Sequence, residues 1–124
     1  KDRDASCVLV VDDEADVRTT LCEIIHQVGY VCSGAESAES ALEFMEDQDV
    51  DVVITDIRMS GLDGFALTEI VKEKYDADVI IITGYASIET AVDAARMGAV
   101  DYLPKPFTPD EMRHATDQAL RLAA

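Results

Sequence analysis

Hydrophobic and polar residues alternate in blocks along the chain. Short apolar runs at 7–12, 30–35, 50–56, 79–83 and 100–104 predict strands. Between them, apolar residues recur at helical spacing. The first such segment carries Val17, Leu21, Ile24, Ile25 and Val28, with Gly29 as its stop. The second carries Ala38, Ala41, Leu42 and Met45, and the third Leu67, Ile70 and Val71. The fourth carries Ile88, Ala91, Val92 and Ala95 and ends near Gly98. The fifth opens with Thr108-Pro109-Asp110-Glu111: a capping threonine, proline at the first helical position and glutamate at the third. Its apolar face is Met112, Ala115, Ala119 and Leu122.

Five alternations of strand and helix predict a parallel sheet covered on both faces. The runs 8–11, 50–54 and 79–82 are almost wholly apolar, as central strands buried on both sides require. The runs 30–35 and 100–104 are mixed, and Pro104 cannot donate a ladder bond, so both suit edges. The strand order that fits is 2-1-3-4-5, the flavodoxin-like doubly wound α/β arrangement. The length of 124 residues suits one domain, 1–124 with a core of about 7–122, and no repeat or linker interrupts it. The chain starts at Lys1 and its last residues still read as helix, so a piece of a longer chain is expected.

Charge narrows the function. Ten basic residues against twenty-six acidic ones give −16, which argues against direct nucleic-acid binding. No apolar run is long enough to span a membrane, and no signal-peptide pattern is present. Cys7, Cys22 and Cys32 form no CxxC pair. They argue against a disulfide framework or a zinc site, suit a reducing cytoplasm, and are expected as small buried hydrophobes. His26 and His114 stand alone in helical patterns and are expected to be solvated or hydrogen-bonded.

The chemistry collects where the strands end. In a doubly wound sheet, ligands bind beyond the carboxyl ends of the strands. Strand one ends at Asp12 and Asp13, strand three at Asp56 and strand four at Thr83, and strand five runs into Lys105. Taken singly, each has an ordinary reading as a cap, a turn, a strand threonine or a solvated lysine. Together they place three carboxylates, a hydroxyl and an ammonium on one edge. Crowded carboxylates repel unless a cation joins them, and few hard oxygen ligands with open positions suit Mg²⁺. A metal there would draw in a phosphoryl group, which Lys105 and Thr83 could contact. Asp56, ending a central strand, is the best nucleophile for an acyl phosphate.

At these residues the chain closely resembles the receiver domain of two-component response regulators. The matching motifs are VVDDE at 10–14, ITDIRMSGLDG at 54–64, IITG at 81–84 and DYLPKPF at 101–107. The resemblance implies that Asp56 accepts the phosphoryl group. It implies that Asp13 ligates Mg²⁺ directly, that Asp12 acts beside it through water, and that the Arg58 carbonyl is the third protein ligand. Thr83 matches the switch hydroxyl, Lys105 the pairing lysine and Tyr102 the aromatic that changes rotamer, and Lys105–Pro106 is implied to be cis. Ser60 departs from the proline usual at its position. Arg58 and Tyr85, two residues beyond Asp56 and Thr83, match positions that tune phosphoryl lifetime by gating water. The implied partners are a sensor histidine kinase, an attached output domain and a second copy through the face of helix four, strand five and helix five. The segment TAVDAARMGAVDYLPKPF looks most like the nitrogen-regulator class, whose members carry an ATPase domain and a DNA-binding domain.

Three other classes fit less well. An aspartyl phosphohydrolase needs a second acid two residues after its nucleophile, where this chain has Arg58. A flavin module needs a phosphate-cradling loop after strand one, where Asp12-Asp13-Glu14-Ala15-Asp16 would repel phosphate. A pseudo-receiver commonly lacks an acid or the lysine, and this chain keeps both.

Overall fold

The computed structural model of the chain describes residues 6–123, with side chains to residue 120. Ten elements alternate: β1 (Cys7–Val11), α1 (Ala15–Gln27), β2 (Val31–Ala35), α2 (Ala38–Asp47), β3 (Val52–Asp56), α3 (Gly64–Lys74), β4 (Asp78–Thr83), α4 (Ile88–Arg96), β5 (Asp101–Pro104) and α5 (Pro109–Ala123). The strands form one parallel sheet in the order β2-β1-β3-β4-β5, the topology that strand composition predicted.

The central strands are apolar throughout because both faces are covered. Successive side chains point to opposite sides. Val8, Val10, Val52, Ile54, Ile80 and Ile82 pack on Leu21 and Ile25 of α1 and on Met112, Ala115 and Ala119 of α5. Leu9, Val11, Val53, Val79 and Ile81 pack on Ala38, Ala41 and Met45 of α2, Leu67 and Val71 of α3 and Ala94 of α4. Each fully buried isoleucine or leucine contributes about 1.5–3 kcal/mol, so this two-sided layer holds the fold together. Leu122, expected on the apolar face of α5, lies outside the described side chains.

Strand β3 begins two residues later than the apolar run suggested. The side chain of Asp51 accepts the Cys7 N–H at 2.8 Å, and its own N–H donates to the Cys7 carbonyl at 2.9 Å. This local pairing precedes the ladder. At the other end β1 stops at Val11, which leaves Asp12 just past the strand.

Side-chain caps start four helices. Ser37 Oγ accepts the Ser40 N–H, Asp63 Oδ1 accepts the Ala66 N–H, and Ser87 with Thr90 forms a capping box on α4. On α5, Thr108 Oγ1 accepts the Glu111 N–H while Glu111 Oε1 accepts the Thr108 N–H, the reciprocal pair expected from sequence. Gly29, at φ 96°, follows α1 in the left-handed conformation that glycine adopts without strain.

On helix α4 the apolar stripe and the buried side differ. Its apolar stripe does not face the core: Ile88 is 86% exposed and Val92 43%, and Ala95 is exposed too. The buried position is Ala94, at 1% exposure. A small residue at the contact lets the helix sit close to the sheet. Spacing reports an apolar stripe but not the side on which the sheet lies. The cysteines correct an expectation, since Cys7, Cys22 and Cys32 are partly rather than fully buried.

Candidate functional site

Parallel strands deliver all their carboxyl ends to one edge, and the predicted residues meet there. Asp12 follows β1 and is fully buried. Its Oδ1 accepts the Glu14 N–H at 2.9 Å, and its backbone carbonyl accepts from Arg18 Nη1 at 2.8 Å. Asp56 closes β3, and its Oδ1 accepts the Arg58 N–H at 3.3 Å. Lys105, just beyond β5, reaches both acids: Nζ lies 2.8 Å from Asp56 Oδ2 and 3.1 Å from Asp12 Oδ2. The cation that offsets these two carboxylates is therefore supplied by the chain itself. The Lys105 N–H donates to the Thr83 carbonyl at 2.7 Å, and the Lys105–Pro106 bond is cis, as the resemblance implied.

Burial and pairing oppose each other here. Burial pushes the Asp12 carboxyl above its ordinary value, against hydrogen bonds from the Glu14 N–H and Lys105 that favour the anion. Burial also works against the Lys105 ammonium. Hydrogen bonds to Asp56 and Asp12 outweigh it and leave Lys105 above its ordinary value.

A cavity of about 550 Å³ opens over this pair, lined by Asp13, Glu14, Asp56, Arg58, Gly84, Tyr85 and Lys105. Carboxylate oxygens of Asp12, Asp13 and Glu14 all lie within 4.8 Å of one another. Three hard oxygen donors converging beside an open cavity fit a small divalent cation such as Mg²⁺.

Two predicted residues stand apart from the cavity. Thr83 is buried, and its Oγ1 accepts the Tyr85 N–H at 3.0 Å. Tyr102 is half-buried, and its hydroxyl lies 2.6 Å from Thr90 Oγ1 and 3.2 Å from the Ser87 N–H, at the cap of α4. Two further features were missed. Glu14 joins the acid cluster, which its place in the run Asp12-Asp13-Glu14 could have signalled. The Arg58 guanidinium lies 4.1 Å from the centre of the Tyr85 ring, a cation–π contact between residues 27 positions apart that no local pattern announces.

A doubly wound sheet with an acidic pocket and a lysine at its carboxyl edge defines a class of α/β modules that meet their ligands at the strand ends. Residues 8–117 match the response regulator receiver domain, and the chain belongs to that family. It is a phosphoacceptor module of two-component signalling and acts as a signalling switch. Its relatives include the DNA-binding transcriptional regulator NtrC of Proteus hauseri, 40% identical over 91% of this chain and 24% of that protein. The regulatory protein AtoC of Escherichia coli is 41% identical over 93% of this chain and 25% of that protein. The solved receiver domain of NtrX from Brucella abortus superposes with a TM-score of 0.87 at 38% identity, over 92% of this chain and 98% of that one. These similarities support a receiver domain of the nitrogen-regulator class, and the chain spans about a quarter of the length of these curated relatives.

Proposed function

We propose that Asp56 accepts a phosphoryl group from the phosphohistidine of a sensor histidine kinase and that the domain then changes conformation to control an output. The observation that carries this reading is the Asp56–Lys105 pair, 2.8 Å apart, in a cavity that Asp13 and Glu14 also line. An Asp56 oxygen would attack phosphorus while the donor's phosphorus–nitrogen bond breaks, leaving an acyl phosphate. Lys105 would keep its contact by moving from the carboxylate to a phosphoryl oxygen. Asp12, Asp13, Asp56 and the Arg58 carbonyl would hold Mg²⁺, with Glu14 beside them. Bound Mg²⁺ would offset the charge of the incoming group.

The switch would run through Thr83. Its hydroxyl would leave the Tyr85 N–H for the new phosphoryl oxygens, Tyr102 would take the vacated space, and the α4 cap would lose its bonds to the Tyr102 hydroxyl. Arg58 stacked on Tyr85 forms one wall of the cavity and would limit the entry of water. The domain would thus promote both its own phosphorylation and its hydrolysis, with signalling as its task. Position 58, where a phosphohydrolase carries its second acid, holds an arginine engaged with Tyr85, which favours the switch over turnover of substrates.

Relatives about four times as long support an attached output domain that regulates transcription. The exposed Ile88, Val92 and Val100 support a homodimer through the face formed by α4, β5 and α5. A charge of −16 supports the reading that this domain does not itself hold nucleic acid. No described helix is long and apolar enough to cross a membrane. Membership of the receiver family supports a cytoplasmic location. The test is intact mass after incubation with Mg²⁺ and acetyl phosphate. A single phosphoryl adduct, lost in Asp56→Asn and without Mg²⁺, is expected. A folded, Mg²⁺-binding wild type that takes no phosphoryl group from acetyl phosphate or from candidate kinases would overturn the reading.

A further inference from the structure

Helix α2 follows β2, so it opens at the same sheet edge as the acidic pocket. Its first turn carries Glu39. An acid at that place ordinarily serves the helix end. Here Ser37 already caps that end by accepting the Ser40 N–H, and the exposed Glu39 side chain reaches out of its own helix. Glu39 Oε2 accepts the Leu62 N–H at 3.2 Å, 23 residues further on, in the loop between β3 and α3.

The two ends of that loop are held locally. Asp56 Oδ1 accepts the Arg58 N–H, and the Ile57 carbonyl accepts the Gly64 N–H. Met59 and Leu62 pack on the apolar cluster. Among the described residues, the hydrogen bond that ties 59–62 to the rest of the chain is the one to Glu39. Gly61 fits that bond in two ways. Its φ of 80° is the left-handed conformation that suits glycine. A Cβ there would stand 2.7 Å from Glu39 Oε2 and 3.2 Å from Oε1, so any side chain at this position would push the carboxylate off. Glycine also leaves the free turn the most conformations, and a clamp on the next residue restricts them.

Arg58 stands at the other end of the same loop. Its side chain stacks on Tyr85 and lines the cavity over Asp56, and its carbonyl belongs to the ligand set suggested above. Taking Asp56 as the phosphoryl acceptor, as proposed above, we propose that Glu39 is a positioning residue for that site. Its carboxylate clamps the turn 59–62 from α2 and so fixes where Arg58 stands over Asp56. Glu39 does not line the cavity and acts through the loop. Without the clamp the turn samples more conformations, the Arg58 carbonyl spends less time in place, Mg²⁺ binds more weakly and phosphoryl uptake slows.

The test compares Glu39→Ala with Glu39→Gln, which loses the charge but keeps an oxygen that can accept the Leu62 N–H. Solvent exchange of the Leu62 N–H in the metal-free protein is read by NMR, Mg²⁺ affinity by calorimetry, and uptake by intact mass with acetyl phosphate. Glu39→Ala should speed the exchange and weaken Mg²⁺ binding by about three- to tenfold, the effect of one hydrogen bond, and slow uptake. Its melting temperature should match that of Glu39→Gln, and Glu39→Gln should behave as wild type in all three assays. Wild-type Mg²⁺ affinity in Glu39→Ala would overturn the proposal. So would a Glu39→Gln protein as impaired as Glu39→Ala, because the charge rather than the clamp would then be acting. A wild type that binds no Mg²⁺ would defeat the proposed function itself, and this role with it.

Discussion

Replacing Gly64 with alanine would place a Cβ 2.1 Å from the Asp56 carbonyl oxygen and 2.9 Å from both Asp56 C and Ile57 Cα. All three are backbone atoms, so no rotamer change relieves the overlap. The Gly64 N–H also donates to the Ile57 carbonyl at 2.8 Å, which pins the start of α3 to the end of β3. An ordinary carbon–oxygen contact is about 3.3 Å, so the two segments must part by roughly 1 Å. Overpacking by one methyl typically costs about 1–3 kcal/mol, and rigid backbone on both sides sets this site at about 3 kcal/mol or more. For a domain of this size that lowers the melting temperature by on the order of 10 °C. The displaced residue is the proposed nucleophile, and a misplacement of about 1 Å can slow a reaction by about 100-fold. The control is Gly84→Ala beside the same cavity, where an added Cβ meets nothing within 4 Å. That change should alter stability by less than about 1 kcal/mol. Thermal melts and the initial rate of phosphoryl uptake from acetyl phosphate, run on both variants, make the comparison. A Gly64→Ala protein that melts and reacts like Gly84→Ala would refute the reasoning.

Tyr102→Phe removes the hydroxyl bonded to Ser87 and Thr90. It should cost about 1–2 kcal/mol and speed amide exchange at the start of α4, and unchanged exchange there would disconnect Tyr102 from the cap. Lys105 stands above its ordinary value in the fold, so its contribution to stability is complete below the unfolded value of about 10.4 and is lost as pH rises through the folded value. Urea melts from pH 8 to 11.5 should show wild type losing its advantage over Lys105→Met towards the alkaline end; a gap constant with pH would contradict this. Mg²⁺ at about 100 times its dissociation constant should stabilise the domain by about 2.7 kcal/mol. Asp13→Asn should remove most of that gain in a melt with and without the ion, and a full gain in the variant would take Asp13 out of the ligand set.

Much of this architecture follows from local pattern. The runs 8–11 and 79–82 have no polar residue, and a strand of that kind is stable only between two covered faces. Pro104 and the mixed run at 30–35 mark edges for the same reason. The α5 cap is written in four consecutive residues. The site edge was legible too, because a parallel sheet brings every strand's carboxyl end to one side wherever Asp12, Asp56 and Lys105 fall in the chain.

Orientation was not legible. Ile88 and Val92 share an apolar stripe, yet Ala94 meets the sheet, because spacing fixes which residues share a face but not which face another layer covers. Side-chain partners depend on distances between elements far apart in sequence. Lys105 bridges Asp12 and Asp56 across separations of 93 and 49 residues. Thr83 turns its hydroxyl to Tyr85, and Tyr102 is bound to the cap of α4 rather than to the pocket. The sequence by itself determined the elements, their order and the edge where the chemistry gathers, since these follow from periodicity and chain direction. Only the tertiary structure decided which charge meets which, since hydrogen bonds and ion pairs change sharply over an ångström and that ångström is set by packing between elements.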